Sequence, residues 1–291
     1  MNNKLEASEL VLNDNGSVYH IALKDEDIAD NVILVGDPGR VDVVSSFFES
    51  IELERSHREF RTITGHYNGK RITVLATGIG TDNIDIVLNE LDAAVNIDLE
   101  SREIKSQHRS LNLIRLGTCG ALHSDLAVDT QIATSHALGF DGLAHYYEHQ
   151  FEEEELELIH HFLEQSSWPK KLSEPYMIQA DQGLLNNLAS GLATGATATA
   201  TGFYGPQGRA LRLGLSIQDM HERLRAFEHG DLRILNFEME SSALYFMAKA
   251  LGHKALTICT VVANRSRMEF SKDYKSSVKV MIENCLERLT S

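Results

Sequence analysis

Short apolar runs alternate with amphipathic ones along this chain, and the period of each run indicates the element it forms. Asn31–Val35 (NVILV) is continuously apolar and predicts a buried strand, followed by Gly36-Asp37-Pro38-Gly39-Arg40 and a helical stretch over Val41–Phe48. Arg71–Ala76 (RITVLA) predicts a second strand. It ends in Thr77-Gly78-Ile79-Gly80 and is followed by a helix over Asn83–Val95. Leu113–Leu116 (LIRL) predicts a third, ending in a loop at Gly117-Thr118-Cys119-Gly120, and Leu256–Ala263 (LTICTVVA) runs into Asn264-Arg265-Ser266. The short run Ile234–Phe237 precedes Glu238-Met239-Glu240 and a helix over Ser241–Leu251. Strands that alternate with helices predict an α/β protein with a mainly parallel sheet, in which ligands sit beyond the carboxyl ends of the strands.

The middle of the chain is less regular. Phe151, Leu158, Ile159, Phe162 and Leu163 make one apolar helical face within Phe151–Gln165, which sets the four consecutive glutamates on a solvated face. His160-His161 lacks ligand-like spacing. Thr194–Gly202 alternates alanine with threonine, as a tightly packed strand does. No internal repeat or linker divides the chain.

Composition narrows the classes. The formal net charge of -15 opposes binding to nucleic acid or to anionic membranes, and no basic stripe offsets it. No segment reaches the roughly 20 consecutive apolar residues of a membrane-spanning helix. The first 16 residues lack the basic-then-apolar layout of a signal peptide, and the three cysteines (Cys119, Cys259, Cys285) form no disulfide or zinc pattern. A cytoplasmic protein is expected. An anionic substrate would need a local cluster of arginines and amide donors built against the overall charge.

Two segments have the composition for that. Gly36–Arg40 lies between a strand and a helix, where free amides, the helix start and Arg40 can hold an anion; the same residues also suit a plain tight turn. Arg115-Leu116-Gly117-Thr118-Cys119-Gly120 supplies an arginine, a hydroxyl and free amides at another strand end, with a turn again as the alternative. Cys119 has no histidine or base nearby in sequence and reads as a small filler. Gly78-Ile79-Gly80 lacks the third glycine of a dinucleotide fingerprint, since Asn83 stands there, and no P-loop lysine pattern occurs. Glu238 and Glu240, at a helix start, can accept from a diol or complement the helix dipole.

In order, GDPGR, Ser56-His57-Arg58-Glu59-Phe60, TGIG, RLGTCG, Phe203-Tyr204-Gly205-Pro206-Gln207-Gly208-Arg209, FEMES and Val262-Ala263-Asn264-Arg265-Ser266 resemble the nucleoside phosphorylase family, nearest to its uridine phosphorylases. The resemblance runs from about Val18 to Arg267 and is weak over residues 1–17, Asp98–Asn112 and much of Phe151–Gly191. It implies a single-domain, three-layer αβα fold with a mixed, mainly parallel central sheet over residues 18–291, preceded by an extension of residues 1–17.

The resemblance also implies site roles. Phosphate would be held by Gly36, Arg40, Arg115, Gly117 and Thr118, with Arg58 contributed by a neighbouring subunit. The ribose would meet Glu238, Met239 and Glu240, and His20 from the same neighbour. The base would meet Phe203, Gln207 and Arg209, and Gln207, Arg209 and Arg265 would serve the chemistry. Purine-specific relatives carry an aspartate in a Ser-Asp segment after the last strand; this chain reads Asn264-Arg265-Ser266 there, so a pyrimidine is expected. Fixed donors can stabilise charge on the O2 and O4 of a departing uracil without protonating its ring. Gly205-Pro206 reverses the usual order in that family, and Gly208 replaces an acidic residue.

The expected reaction is phosphorolysis of uridine to uracil and ribose 1-phosphate, with phosphate as co-substrate, no cofactor and no metal. Glu59 matches a potassium ligand of some relatives, but Asn83 replaces the accompanying serine. A homodimer is the expected minimal unit, and hexamers are common among relatives. The alternatives are a purine phosphorylase, a nucleosidase of the same fold, or a non-catalytic nucleoside-binding protein.

Overall fold

In the computed structural model, which describes residues 4–291, β1 (Asn31–Val35) lies between two parallel neighbours, β4 (Lys70–Ala76) and β5 (Asn112–Ala121). Val32 to Val35 are wholly buried, which is why this run is apolar throughout rather than alternating. Beyond β4 the sheet continues antiparallel through β3 (Phe60–Tyr67) to the edge strand β2 (Ser50–His57). On the other side of β5 come β10 (Lys254–Asn264), β6 (Gln131–Gly139), β8 (Ala193–Thr199) and β9 (Leu232–Glu238), with β7 (Tyr176–Gln179) on β6. β9 also pairs with the far end of β5 (Phe237 with Gly120, Asn236 with Ala121), so this half of the sheet closes on itself. The result is the expected α/β fold with a mixed, mainly parallel central sheet.

Each helix follows from the strand before it. α1 (Pro38–Ser45) starts with proline in its first turn, and the Asp37 side chain accepts from the Gly39 amide. α2 (Thr81–Asn96) buries Ile84, Val87, Leu88 and Leu91 on one face and packs on α6 (Ser241–Ala250). α3 (Glu153–Ser166), α4 (Gln182–Leu188), α5 (Met220–Arg225) and α7 (Tyr274–Thr290) complete the set.

The alanine–threonine alternation of β8 has a direct cause. Ala196 and Ala198 face an apolar cluster with Phe140, Phe162 and Phe237, whereas Thr197 and Thr199 face a polar ladder. Thr197 lies 2.6 Å from the Thr134 hydroxyl and donates to Asn236 (3.0 Å), and Thr199 donates to Glu238 (2.6 Å). The strand anticipated over Thr194–Gly202 therefore forms, over Ala193–Thr199.

Two expectations need correction. The third strand does not stop at Leu116: Gly117–Gly120 continues β5, paired with Cys259–Ala263 of β10 across a register shift between Val261 and Ala263, so these residues are strand rather than a loop. The glutamate run is also not wholly solvated. Glu155 is buried, accepting from the amides of Glu152 (3.0 Å) and Gln179 (3.1 Å) and from Lys249 Nζ (2.8 Å). Burial of a charge in this way needs such partners, and two of them, Gln179 and Lys249, are not visible from the local sequence. Among residues 4–17, Leu10 belongs to the main core and Asn13 Nδ2 donates to the Val18 carbonyl (2.7 Å), so this segment packs on the sheet domain.

Candidate active site

The register places the carboxyl ends of β1 and β4 together, beside the first half of β5: Val35 opposes Ala76, and Leu34 opposes Arg115. β1 ends there, while β5 runs on for six more residues. On its β1 side, β5 is unpaired from Leu116 to Cys119, until Gly120 meets Phe237 of β9. This switch in strand pairing opens a cavity of about 450 Å³. Arg40, from the start of α1, reaches the open edge, and its Nη1 donates to the Leu116 carbonyl (3.1 Å).

Arg115 and Gly117 point to the same face of β5, and the arginine folds back over the glycine. A Cβ at Gly117 would overlap the Arg115 guanidinium and sit 3.0 Å from Cys259 Sγ, so glycine there is what lets Arg115 turn into the cavity wall. Its Nη2 pairs with Glu240, its Nη1 lies 3.4 Å from Glu238, and its Nε is buried without a partner. Burial works against the Arg115 charge, but Glu240 and Glu238 outweigh it and hold the guanidinium protonated more firmly than usual. Arg40 differs. Burial and the nearby Arg115 charge both lower its pKa, and among the described residues no carboxylate forms an ion pair with it. A half-buried cation pushed by another cation is an arrangement that an anion relieves.

Glu238 ends β9 and caps α6: its oxygens accept from the amides of Glu240 (2.8 Å) and Ser241 (3.0 Å) and from Thr199 (2.6 Å). It thus fixes the helix start and the position of Glu240, with little capacity left for a ribose. Glu240 accepts from the Gly80 amide (2.8 Å), which Gly80 presents at φ +100°, a backbone region that glycine tolerates. Burial raises the Glu240 pKa, opposed by Arg115. Each of its oxygens keeps a lone pair for a hydroxyl donor. Met239 lines the cavity between the two glutamates.

At the other end stands the segment Phe203–Arg209, turned tightly at Gly205–Gln207. Gln207 is 5% exposed, and its carbonyl oxygen accepts from Arg209 Nη1, which also donates to the Phe203 carbonyl (2.6 Å). The Arg209 guanidinium lies 3.9 Å from the Phe203 ring centroid, and its pKa falls to about 10 through burial and the charge of Arg265. Arg265 itself does not line the cavity. Its Nη1 donates to the Gly208 carbonyl (2.9 Å), and His221 Nε2 contacts the Gln207 carbonyl (3.0 Å), so both brace the segment from behind.

Of the residues anticipated from sequence, the cavity gathers Gly36, Arg40, Arg115, Thr118, Glu238, Met239, Glu240, Phe203, Gln207 and Arg209. Gly117 supports Arg115 from within the strand; its amide is not a free loop donor, because the strand continues through it. Burial pushes the Cys119 thiol well above its ordinary range, in keeping with a filler role. His20 and Arg58 lie elsewhere, beside one another at the β2–β3 turn. Arg58 sits 4.6 Å from the Tyr19 ring centroid at φ +52°, His57 Nδ1 contacts the His20 carbonyl (2.9 Å), and His20 Nδ1 contacts Glu90 (2.6 Å). That contact holds the His20 ring, with Nε2 left for another partner. Sequence reasoning missed His221, Thr199 and Phe270, which meet the site only through tertiary packing. Two groups with metal-ligand potential, Asp92–His108–His253 and Glu157–His161–His229, do not touch the cavity.

Comparison with known proteins agrees with this geometry. A sequence model of the Phosphorylase superfamily matches residues 30–289. The chain is 31% identical over 277 residues to a uridine phosphorylase of Thermococcus kodakarensis, covering 92% of this chain and 85% of the relative. It is 30% identical over 251 residues to a DeoD-type purine nucleoside phosphorylase of Oceanobacillus iheyensis, covering 83% and 85%. Among solved structures, a Trypanosoma brucei nucleoside phosphorylase described as showing uridine phosphorylase activity superposes with a TM-score of 0.87 at 31% identity, covering 96% of this chain and 99% of that one. Open strand edge, arginine pair and family match together make the chain a member of the phosphorylase superfamily, with the nucleoside phosphorylase fold.

Proposed function

We propose that this enzyme cleaves uridine with inorganic phosphate, giving uracil and ribose 1-phosphate. The observation that carries the reading is the polarity of one cavity: an arginine without a carboxylate at one end, a diol acceptor in the middle, and an amide–guanidinium pair at the other. Phosphate fits against Arg40, Arg115 and Thr118, ribose against Met239 and Glu240, and uracil against Phe203, Gln207 and Arg209. A phosphate oxygen attacks C1′ while the C1′–N1 bond breaks, and its electron pair passes to N1 and spreads onto O2 and O4. Gln207 and Arg209 oppose that charge, and the protein's contribution is positioning and electrostatics. Arg265 and His221 keep the pair in place.

Base selectivity rests on which carboxylates the cavity holds. They are Asp37, Glu238 and Glu240, and each is engaged by a helix start, by Arg115 or by the Gly80 amide. None stands beside Gln207 and Arg209 to protonate a purine. At the place where purine-specific relatives carry the acid, Asn264 spends its amide on the carbonyls of His123 (2.8 Å) and Leu126 (2.6 Å).

His20 and Arg58, held together outside the cavity, suit donation to the site of a second subunit, so a homodimer is the smallest working unit. The proposed reaction needs no cofactor and is placed in the cytoplasm, and the net charge of -15 disfavours nucleic acid and anionic membranes as partners. A side-by-side assay of uridine and inosine with phosphate tests the assignment. Uridine is the expected preferred substrate, and preference for inosine would move the protein to the purine class.

A further inference from the structure

Across the Phe203–Arg209 segment lies a second, larger cavity of about 830 Å³, within the range of small-molecule sites. One wall is aromatic: the rings of Phe140 and Trp168 stack with centroids 4.6 Å apart, and Trp168 Nε1 is already satisfied by the Ser173 carbonyl (3.0 Å). The facing wall is the strip Leu211–Ile217, in which Leu211 and Leu213 are 75% and 84% exposed. The two exposed leucines and the aromatic wall together offer a ligand apolar contact on both sides.

The charge of the lining is the second observation. Lys171, Arg209 and Arg212 line this cavity and no acidic residue does, although the chain as a whole carries -15. Among the described residues none of the three forms an ion pair with a carboxylate. A neutral apolar ligand would make no use of these cations, a free phosphate would leave the apolar walls uncovered, and Leu211, Leu213, Leu215 and Ile217 offer no hydrogen-bond partners to the polar edges of a nucleotide's base and sugar. We propose that this cavity binds an amphipathic monocarboxylate, its aliphatic or aromatic body between Trp168 and the Leu211–Ile217 strip and its carboxylate among Lys171, Arg209 and Arg212.

Arg209 lines both cavities. A carboxylate that competes for its guanidinium loosens its hold on Gln207 and on the Phe203 carbonyl, so occupancy raises the KM for uridine. Linkage then requires uridine to weaken the carboxylate equally. This coupling rests on the proposed base-binding role of Gln207 and Arg209; the binding itself does not.

Trp168 is the only tryptophan of the chain, so its emission reports this wall alone. The experiment titrates the full-length protein with decanoate and, in parallel, with decanol, below the concentrations at which either self-associates. Saturable change with decanoate, and a dissociation constant about tenfold weaker for decanol, is the expected result. The double variant Lys171→Glu/Arg212→Glu should lose decanoate binding about tenfold or more while keeping uridine turnover in its absence. No saturable response, equal binding of decanol, or an unaffected double variant would overturn the assignment; so would a Trp168 shielded from decanoate by a second copy of the chain. Saturable binding that leaves the uridine KM unmoved would overturn the coupling through Arg209 while upholding the ligand class.

Discussion

In the proposed reaction Gln207 joins the base-binding segment to the chemistry, and the structure holds its side-chain oxygen by Arg209 and its backbone carbonyl by His221. Gln207→Ala should remove that amide and cost about 2–4 kcal/mol of transition-state stabilisation, or roughly 30- to 1000-fold in kcat/KM for uridine. Near wild-type kinetics would exclude this segment as the base pocket. Arg115 carries a structural burden as well as a chemical one. Arg115→Met leaves Glu238 and Glu240 buried without their cation, at a cost of about 3–5 kcal/mol in stability. The sign of its pH dependence follows from Glu240, whose pKa burial already raises and Arg115 opposes. Without the arginine, that carboxyl is held protonated to higher pH in the folded chain than in the unfolded one. The deficit is therefore largest at neutral pH and shrinks as pH falls through the folded-state value. Thermal melts of both proteins at pH 7 and pH 5.5 should show the gap in Tm narrowing, and a constant gap would contradict the account.

Among the elements, β5 shows most clearly where sequence patterns inform and where they mislead. β1, β4 and β10 are legible because strands buried on both faces carry unbroken apolar runs, and the loops after β1 and β4 carry the glycines that close packing needs. Gly117–Gly120 has the small-residue composition of a turn, yet it is strand, and Gly117 is small because Arg115 crosses it. Gly117→Ala should displace that guanidinium, lower stability by about 1–3 kcal/mol and raise the KM for phosphate. A variant with wild-type phosphate affinity would mean that Arg115 reaches the cavity by another path. The β2–β3 hairpin is not legible in the sequence, because the apolar alternation of SIELERSH is only Ile51 and Leu53 and Ile51 stays exposed on this edge strand. Glu155 was misassigned because its partners, Gln179 and Lys249, lie 24 and 94 residues away. The candidate site was legible as a set of residue types, whereas the bracing roles of Glu238, Arg265 and His221 depend on distances that the order of residues does not contain.

For the whole molecule, the proposed function makes the cavity and the His20–Arg58 cluster two separated halves of one site, which a two-fold dimer would join. Arg58→Ala would damage the donated half and Arg40→Ala the resident half. Subunit exchange between these two inactive proteins puts both lesions in one site and none in the other, so each mixed dimer should recover about half of wild-type activity. No recovery after verified exchange would confine Arg58 to its own subunit. The central claim concerns the nucleophile, and product analysis on uridine with and without inorganic phosphate tests it most directly. The account predicts that uracil release depends on phosphate and is matched mole for mole by ribose 1-phosphate. Release of uracil at the same rate in phosphate-free buffer, with free ribose as the other product, would contradict it.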